Sequence, residues 1–405
     1  MSSSKPVVLS GIMLFALGFI GMLGPFGTDA YLPALPAMAD DLHVTSARVG
    51  LTLAAFTIGM ALGQLILGSL SDRIGRRTVL LGGGMVIAVA SFAASLAPNV
   101  ELLIGLCFAM GLVSAAGIVG GRAVVADLTH GIGATRPFAI LGMTVSIGPI
   151  LGPIGGALLL QLGGWRAIFV GLAIFASVAT VGIAAFVPES LPREKRHPGG
   201  IATTVANAKR ILTTRSFLTY AVVLWFSFGM MFAYISTSSF IVQKNLNLPA
   251  SAFASVFGFN GVGIIVTSYL TAVFVKRIPP RRILSTGVAM QFLAVVTLVT
   301  IVSTGTVTAW LVLPALFVMS TSMGFVMGTS TAMAMVDVRF ASGTALALMG
   351  SIQFLAATVT ATLVSIISTN ALVSLTVVSV GAVTLVISAL IIGVVSGRRS
   401  QASAR

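Results

Sequence analysis

The chain has 405 residues, of which 57% are hydrophobic and only 8% charged, with a mean hydropathy of +1.08. A soluble domain is about a quarter charged, so this composition cannot cover a water-facing surface, and an integral membrane protein is expected. The net charge of +14 does not point to nucleic acid, because the basic residues fall in short clusters between apolar runs and are not gathered on one domain.

A membrane span needs about 20 mostly apolar residues. With that ruler the chain divides into twelve spans: 8–36, 46–70, 78–97, 101–127, 136–161, 166–187, 216–243, 251–275, 282–304, 308–336, 342–368 and 372–396. The apolar run from Val7 to Gly27 is too long for a signal peptide and lacks an A-x-A site, so it is read as a retained first helix. Its continuation, G-P-F-G-T-D-A-Y-L-P-A-L-P over 24–36, carries a carboxylate, Asp29, and three prolines. On insertion scales such a residue costs about 2.5–3.5 kcal/mol at a helix centre. Spacings such as Gly59/Gly63 and Gly148/Gly152/Gly156 suit close helix contact.

Lys5, the Arg73-Arg76-Arg77 cluster, Arg136, the 193–215 stretch, Lys276 to Arg282, Arg339 and Arg398-Arg399 all fall on one side of this topology. Arg48, Arg166 and Lys244 fall on the other. The positive-inside rule then places both termini in the cytoplasm. The longest polar stretch divides the chain into an N-terminal six-helix bundle (1–187), a cytoplasmic linker (188–215) and a C-terminal six-helix bundle (216–405). The halves echo each other: S-D-R-I-G-R-R-T-V-L (71–80) is matched by V-K-R-I-P-P-R-R-I-L (275–284), and Asp127 by Asp337. A duplicated six-helix unit is a frequent transporter architecture, with the substrate site near the midplane between repeats.

Three stretches carry the most specific signals. In G-S-L-S-D-R-I-G-R-R-T-V-L (68–80), Gly68 permits close approach of helix two and Gly75 a tight turn into helix three. Asp72 can face a positive helix N-terminus, and Arg73, Arg76 and Arg77 hold the loop inside. This string resembles the signature loop of the major facilitator superfamily, which implies an all-α fold of two pseudo-symmetric six-helix bundles. The resemblance also implies a conformational latch formed by Gly68, Asp72, Arg73, Gly75, Arg76 and Arg77 with Asp127, reaching the start of helix eleven near Ser342 and Gly343. The second stretch, G-P-I-L-G-P-I-G-G-A (148–157), is similar to the superfamily's antiporter motif, with Gly148, Gly152, Pro153 and Gly156 in place and Ala157 at its last position; W-R-A-I-F (165–169) is also typical of drug exporters. Third, D-A-Y-L-P (29–33), with Pro36 and Asp40-Asp41-Leu42 after it and Gly63-Gln64-Leu65 in helix two, resembles the bicyclomycin/chloramphenicol-resistance branch of drug:proton antiporters. One departure stands out: the helix-four position where these exporters carry an arginine aligns with Cys107, and Arg122 lies fifteen residues, about 22 Å, further along.

Of the nine acidic residues only Asp29 is expected inside the membrane, about 10 Å from a helix centre near Met22. A carboxyl group that takes a proton from one side and releases it to the other is what proton coupling requires, and Asp29 is the candidate. A drug pocket is mostly apolar and aromatic with a few polar groups. Met22, Phe26, Asp29 and Tyr31 of helix one, Trp225, Phe228 and Phe232 of helix seven, Phe257 and Asn260 of helix eight, and Gln353 of helix eleven are its candidate lining. His43, His130 and His197 form no metal set, Cys107 is the single cysteine, and no G-x-x-x-x-G-K-[ST] loop occurs. An enzyme, a cofactor and ATP-driven transport are therefore not expected. Taken with these residues, the resemblance implies a monomeric, multi-pass, bacterial inner-membrane antiporter that exchanges protons for hydrophobic antibiotics such as chloramphenicol-like compounds, with no nucleic-acid partner. Two alternatives stay open: an exporter of a physiological metabolite such as a sugar or siderophore, and a non-transporting receptor or scaffold.

Overall fold

The computed structural model describes residues 10–129, 135–191, 201–275, 277–338, 342–368 and 370–402. All regular structure among them is helical. Eleven helical stretches are long and apolar enough to cross a membrane, and one of them, Ile147–Phe186, is 40 residues long. That stretch holds two of the twelve expected spans, because helix five passes into helix six through Gly163 and Gly164. Gly164 has φ +71°, a left-handed turn that ends the first helix and starts the second. The remaining helices are two (Ser46–Ile74), three (Arg76–Ser95), four (Val100–Leu128), seven (Arg215–Phe240, continued to Asn245 by a wider turn), eight (Ala250–Phe274) and nine (Pro280–Thr304). After these come ten (Ala309–Thr321 and Met323–Ala334), eleven (Ser342–Ile367) and twelve (Ala371–Ala402).

Helix one is the exception to regularity. It consists of Gly11–Gly21, Leu23–Asp29, a single tight turn Leu32–Ala34, and Leu35–Asp41. The prolines account for this segmentation. Pro25, Pro33 and Pro36 each fall in the first turn of a new piece, where a missing N–H breaks no helical hydrogen bond.

By contact the chain separates into two compact units, Met1–Val44 with Ala55–Gly200 and Thr45–Ala54 with Ile201–Arg405. Within the stretch expected to be a plain linker, residues Ile201–Leu212 form a helix of their own. It joins the second unit through Ile211, which is fully enclosed in a cluster with Phe217, Trp225, Ala345 and Met349.

In the first unit, Met13, Leu17, Ile20 and Leu23 of helix one pack with Leu80 and Ile87 of helix three, Val124 of helix four and Ala176 and Ile183 of helix six. The backbones come unusually close. A Cβ at Gly59 or Gly63 of helix two would strike the Phe108 or Leu112 carbonyl of helix four, and one at Gly111 would strike the Phe56 carbonyl of helix two. Helix five meets helix one the same way: Gly148 faces Pro25 and Phe26, Gly152 faces Asp29 and Ala30, and Gly156 lies against the Ala30 carbonyl. In the second unit close glycines recur, Gly324 lying against the Ser268 and Ile264 backbone, and hydroxyls add cross-links. Thr267 of helix eight donates to the Thr321 carbonyl (2.7 Å), Thr271 to that of Gly324 (3.0 Å), and Thr360 of helix eleven to that of Gly229 (2.8 Å).

The contact at Gly156 yields a discriminating test. Gly156→Ala places a methyl group into backbone atoms of Ala30 and is expected to cost about 1–3 kcal/mol. The adjacent Gly155→Ala meets only the Phe26 ring edge, at 3.8 Å, and is expected to stay within about 0.5 kcal/mol of the parent. Thermal unfolding of the purified protein, followed by tryptophan fluorescence, separates the two.

Candidate functional site

Asp29 closes the second piece of helix one and is only 4% exposed. Thr28, equally enclosed, lies beside it with its Oγ1 3.1 Å from Asp29 Oδ1, and helix five presents no side chain at Gly152, where an added Cβ would lie 3.2 Å from that of Asp29. The antiporter-like glycines and the membrane carboxylate therefore belong to one local structure, a connection invisible when each is read as a separate motif. Met22 sits at the first break of helix one, and Phe26 is stacked on Phe175 of helix six at 4.9 Å. Tyr31 is fully enclosed and stacks on Phe169 at 5.5 Å, and Cys107 of helix four is buried as well. The position where the resemblance implies an arginine thus holds a buried, uncharged side-chain type.

Beyond this pair, Phe169 meets Trp165 edge-on at 5.9 Å, and the Trp165 indole donates to Asp41 Oδ2 at 2.9 Å. Arg166 pairs with the same carboxylate at 2.6 Å and lies over the Trp165 ring. The W-R-A-I-F segment consequently anchors the far end of helix one, after its last proline.

The signature loop sits at the opposite end of the first unit. Gly75, with φ +108°, makes the turn that no other residue enters without strain. Arg76 is the hub: its guanidinium pairs with Asp72 (2.6 Å) and Asp127 (3.3 Å) and bonds Ser71 (2.6 Å), while its backbone N–H donates to Glu189 Oε1 (2.9 Å). Arg77 donates to the Ala184 carbonyl, and Ser190 to Asp127. Asp127 is thus engaged by Arg76 and Ser190. Gly68 packs on Val119 of helix four, and Arg73 is exposed. Pro153 lies inside helix five. The side chains of Ser342 and Gly343, the expected target of the loop, lie outside the described residues, as do His130 and His197.

In the second unit the predicted residues divide into two groups. Phe228 and Phe232 of helix seven gather around Phe354 of helix eleven, at 5.5 and 6.2 Å, next to the enclosed Gln353. Asn260 Nδ2 donates to the Tyr234 hydroxyl at 2.6 Å, and Tyr234 stacks on Phe257 at 5.9 Å. Trp225 stands apart, since it packs with Phe217 and Ile211 and donates its indole N–H to the Met349 carbonyl at 3.1 Å. Three participants were not singled out from sequence: Thr28, Tyr234, and Gln291, a fully enclosed amide of helix nine held by Ser227 at 3.0 Å. For Gln291 the signal was there, as a lone amide in an apolar span needs a partner. Among the described residues no three His, Cys, Asp or Glu side chains come together to hold a metal ion.

Comparison with known proteins places this geometry. The sequence model of the Major Facilitator Superfamily matches residues 17–361. A bicyclomycin resistance protein homologue of Haemophilus influenzae is 29% identical over 353 residues, 84% of this chain and 85% of that protein. A chloramphenicol resistance protein of Pseudomonas aeruginosa is 31% identical over 261 residues, 64% of this chain and 60% of that one. Among solved structures, a bacterial homologue of the human lysosomal transporter Spinster superposes with a TM-score of 0.75 at 14% identity, covering 95% of this chain and 96% of that chain. With a family model spanning most of its length, the chain belongs to the major facilitator superfamily, a family of multi-pass membrane transporters, not of enzymes.

Proposed function

We propose that this transporter is a proton-coupled exporter of hydrophobic antibiotics, chloramphenicol-like compounds among them, working by alternating access in a bacterial inner membrane with both termini cytoplasmic. The observation that carries the reading is Asp29: an acidic side chain enclosed within a membrane-spanning segment, on a helix broken around it, with no cation paired to it among the described residues. Acidic side chains inside the membrane mark ion pathways and proton relays. Competition between a proton and a polar or cationic part of the substrate would then supply the exchange. The drug-resistance names of two relatives support the substrate class. So do the aromatic groups around Phe228, Phe232 and Phe257, with Asn260, Tyr234 and Gln353 as sparse polar partners. The Arg76 network is read as the latch that cycles with transport.

Two experiments test this. In proteoliposomes, drug-evoked proton movement is expected to vanish in Asp29→Asn while drug binding persists; exchange at the parent rate in that variant would end the coupling role. For the latch, Arg76→Ala removes the bonds to Asp72, Asp127 and Ser71 and is expected to slow transport about tenfold, the loss of one or more charge-assisted bonds. Arg76→Lys should restore only part of this, because a point charge cannot reproduce the fork. Drug affinity, measured by equilibrium binding, should stay within about twofold in both variants if the residue governs movement and not recognition.

A further inference from the structure

Thr28 is the side chain that touches the Asp29 carboxyl group. Its Oγ1 lies 3.1 Å from Asp29 Oδ1, 2.8 Å from the Pro25 carbonyl oxygen and 3.4 Å from that of Gly24. A hydroxyl has one proton to give and two lone pairs to accept with. It therefore cannot donate to Pro25 and to Asp29 at once, although both oxygens stand at bonding distance. Two proton arrangements satisfy the same heavy atoms. With Asp29 ionised, Thr28 donates to the carboxylate. With Asp29 protonated, the acid O–H donates to Thr28 Oγ1, and the threonine proton turns to the Pro25 carbonyl.

We propose that Thr28 is the positioning residue of proton exchange: a hydroxyl rotor that satisfies Asp29 in both of its protonation states without moving a heavy atom. This rests on the proton-coupling role of Asp29. The proton count closes. The proton that Asp29 gains or loses comes from or goes to water or the exchanging substrate, while Thr28 keeps its own and only rotates it about the Cβ–Oγ1 bond. The surroundings leave the role to Thr28. Helix five offers only glycine backbone at Gly152 and Gly156, and the nearby Tyr31 ring is stacked on Phe169. Other threonines here also donate to a carbonyl one turn back, as Thr144 and Thr180 do. Thr28 adds a carboxylate on the second side of the same hydroxyl, and that makes it a switch.

The test compares Thr28→Val, which keeps the shape and deletes the hydroxyl, with Thr28→Ser, which keeps the hydroxyl, and with Asp29→Asn. Drug-evoked proton release in proteoliposomes is expected to fall about tenfold in Thr28→Val, the weight of one hydrogen bond to a charged group, and to stay within about twofold of the parent in Thr28→Ser. The acid carbonyl stretch assigned to Asp29 by its absence in Asp29→Asn should shift in infrared difference spectra of Thr28→Val and return in Thr28→Ser. If Thr28→Val does not fold, Thr28→Ala carries the same comparison. Parent-like release together with an unshifted band in the hydroxyl-free variant would overturn the inference, as would equal losses in the valine and serine variants. Parent-like release in Asp29→Asn would instead sink the coupling role itself, and the infrared band would still decide whether Thr28 bonds the acid.

Discussion

The architecture of the first unit depends on one constraint: a carboxyl group has to be kept inside a membrane on a helix that prolines have cut into pieces. A helix with interrupted backbone hydrogen bonds cannot face lipid unaided, because each exposed peptide group costs several kcal/mol there. Helix five supplies the answer by having no side chains where it meets helix one. At Gly152 and Gly156 its backbone lies against Asp29 and Ala30, so the broken stretch is covered by peptide and not by solvent or hydrocarbon. A bulky residue at either place would push helix one outward and open the carboxyl group to its surroundings. Packing thus sets the environment of the carboxyl group proposed to carry the proton.

The same helix is pinned on both flanks. Toward the chain start, Met13, Leu17 and Ile20 lock into the apolar core with helices three, four and six. Toward the other end, Asp41 is gripped by the Trp165 indole and the Arg166 guanidinium. This surface ion pair is worth little energetically, as about half of each side chain is exposed. Its value is geometric, since it fixes a terminus beyond three proline breaks. Between the two anchors lie the breaks themselves, so any rearrangement of helix one is confined to the segment that carries Thr28, Asp29 and Tyr31.

Much of this was legible in the sequence, and the limit has a physical cause. Hydropathy and basic clusters report where a chain enters and leaves the bilayer, and helices such as Val100–Leu128 and Pro280–Thr304 fall within two residues of the expected spans. Glycine spacing reported that helix five packs tightly, yet not against what, because the partner is chosen by helix rotation and by which helices are neighbours. Asn260 with Tyr234 and Gln291 with Ser227 are both pairs between different helices. Each partner alone reads only as a polar residue in need of one. The helix Ile201–Leu212 escaped notice for another reason: it is too short to span a membrane, and its threonines and basic residues look like a linker unless the apolar positions are read at helical spacing.

The departure at Cys107 also takes on a different meaning once the setting of Asp29 is visible. In relatives with an arginine at this position, a fixed positive charge would face helix one and favour an ionised acid. Here the position holds a buried thiol, and among the described residues no cation pairs with Asp29. Hydrogen bonds are then what distinguishes the two states of Asp29, and Thr28 is the one that touches it. A charge would have biased the acid toward its ionised form; a hydroxyl that can either give or accept serves both forms alike. For the proton exchange proposed for Asp29, even-handed support of both states is the more useful property.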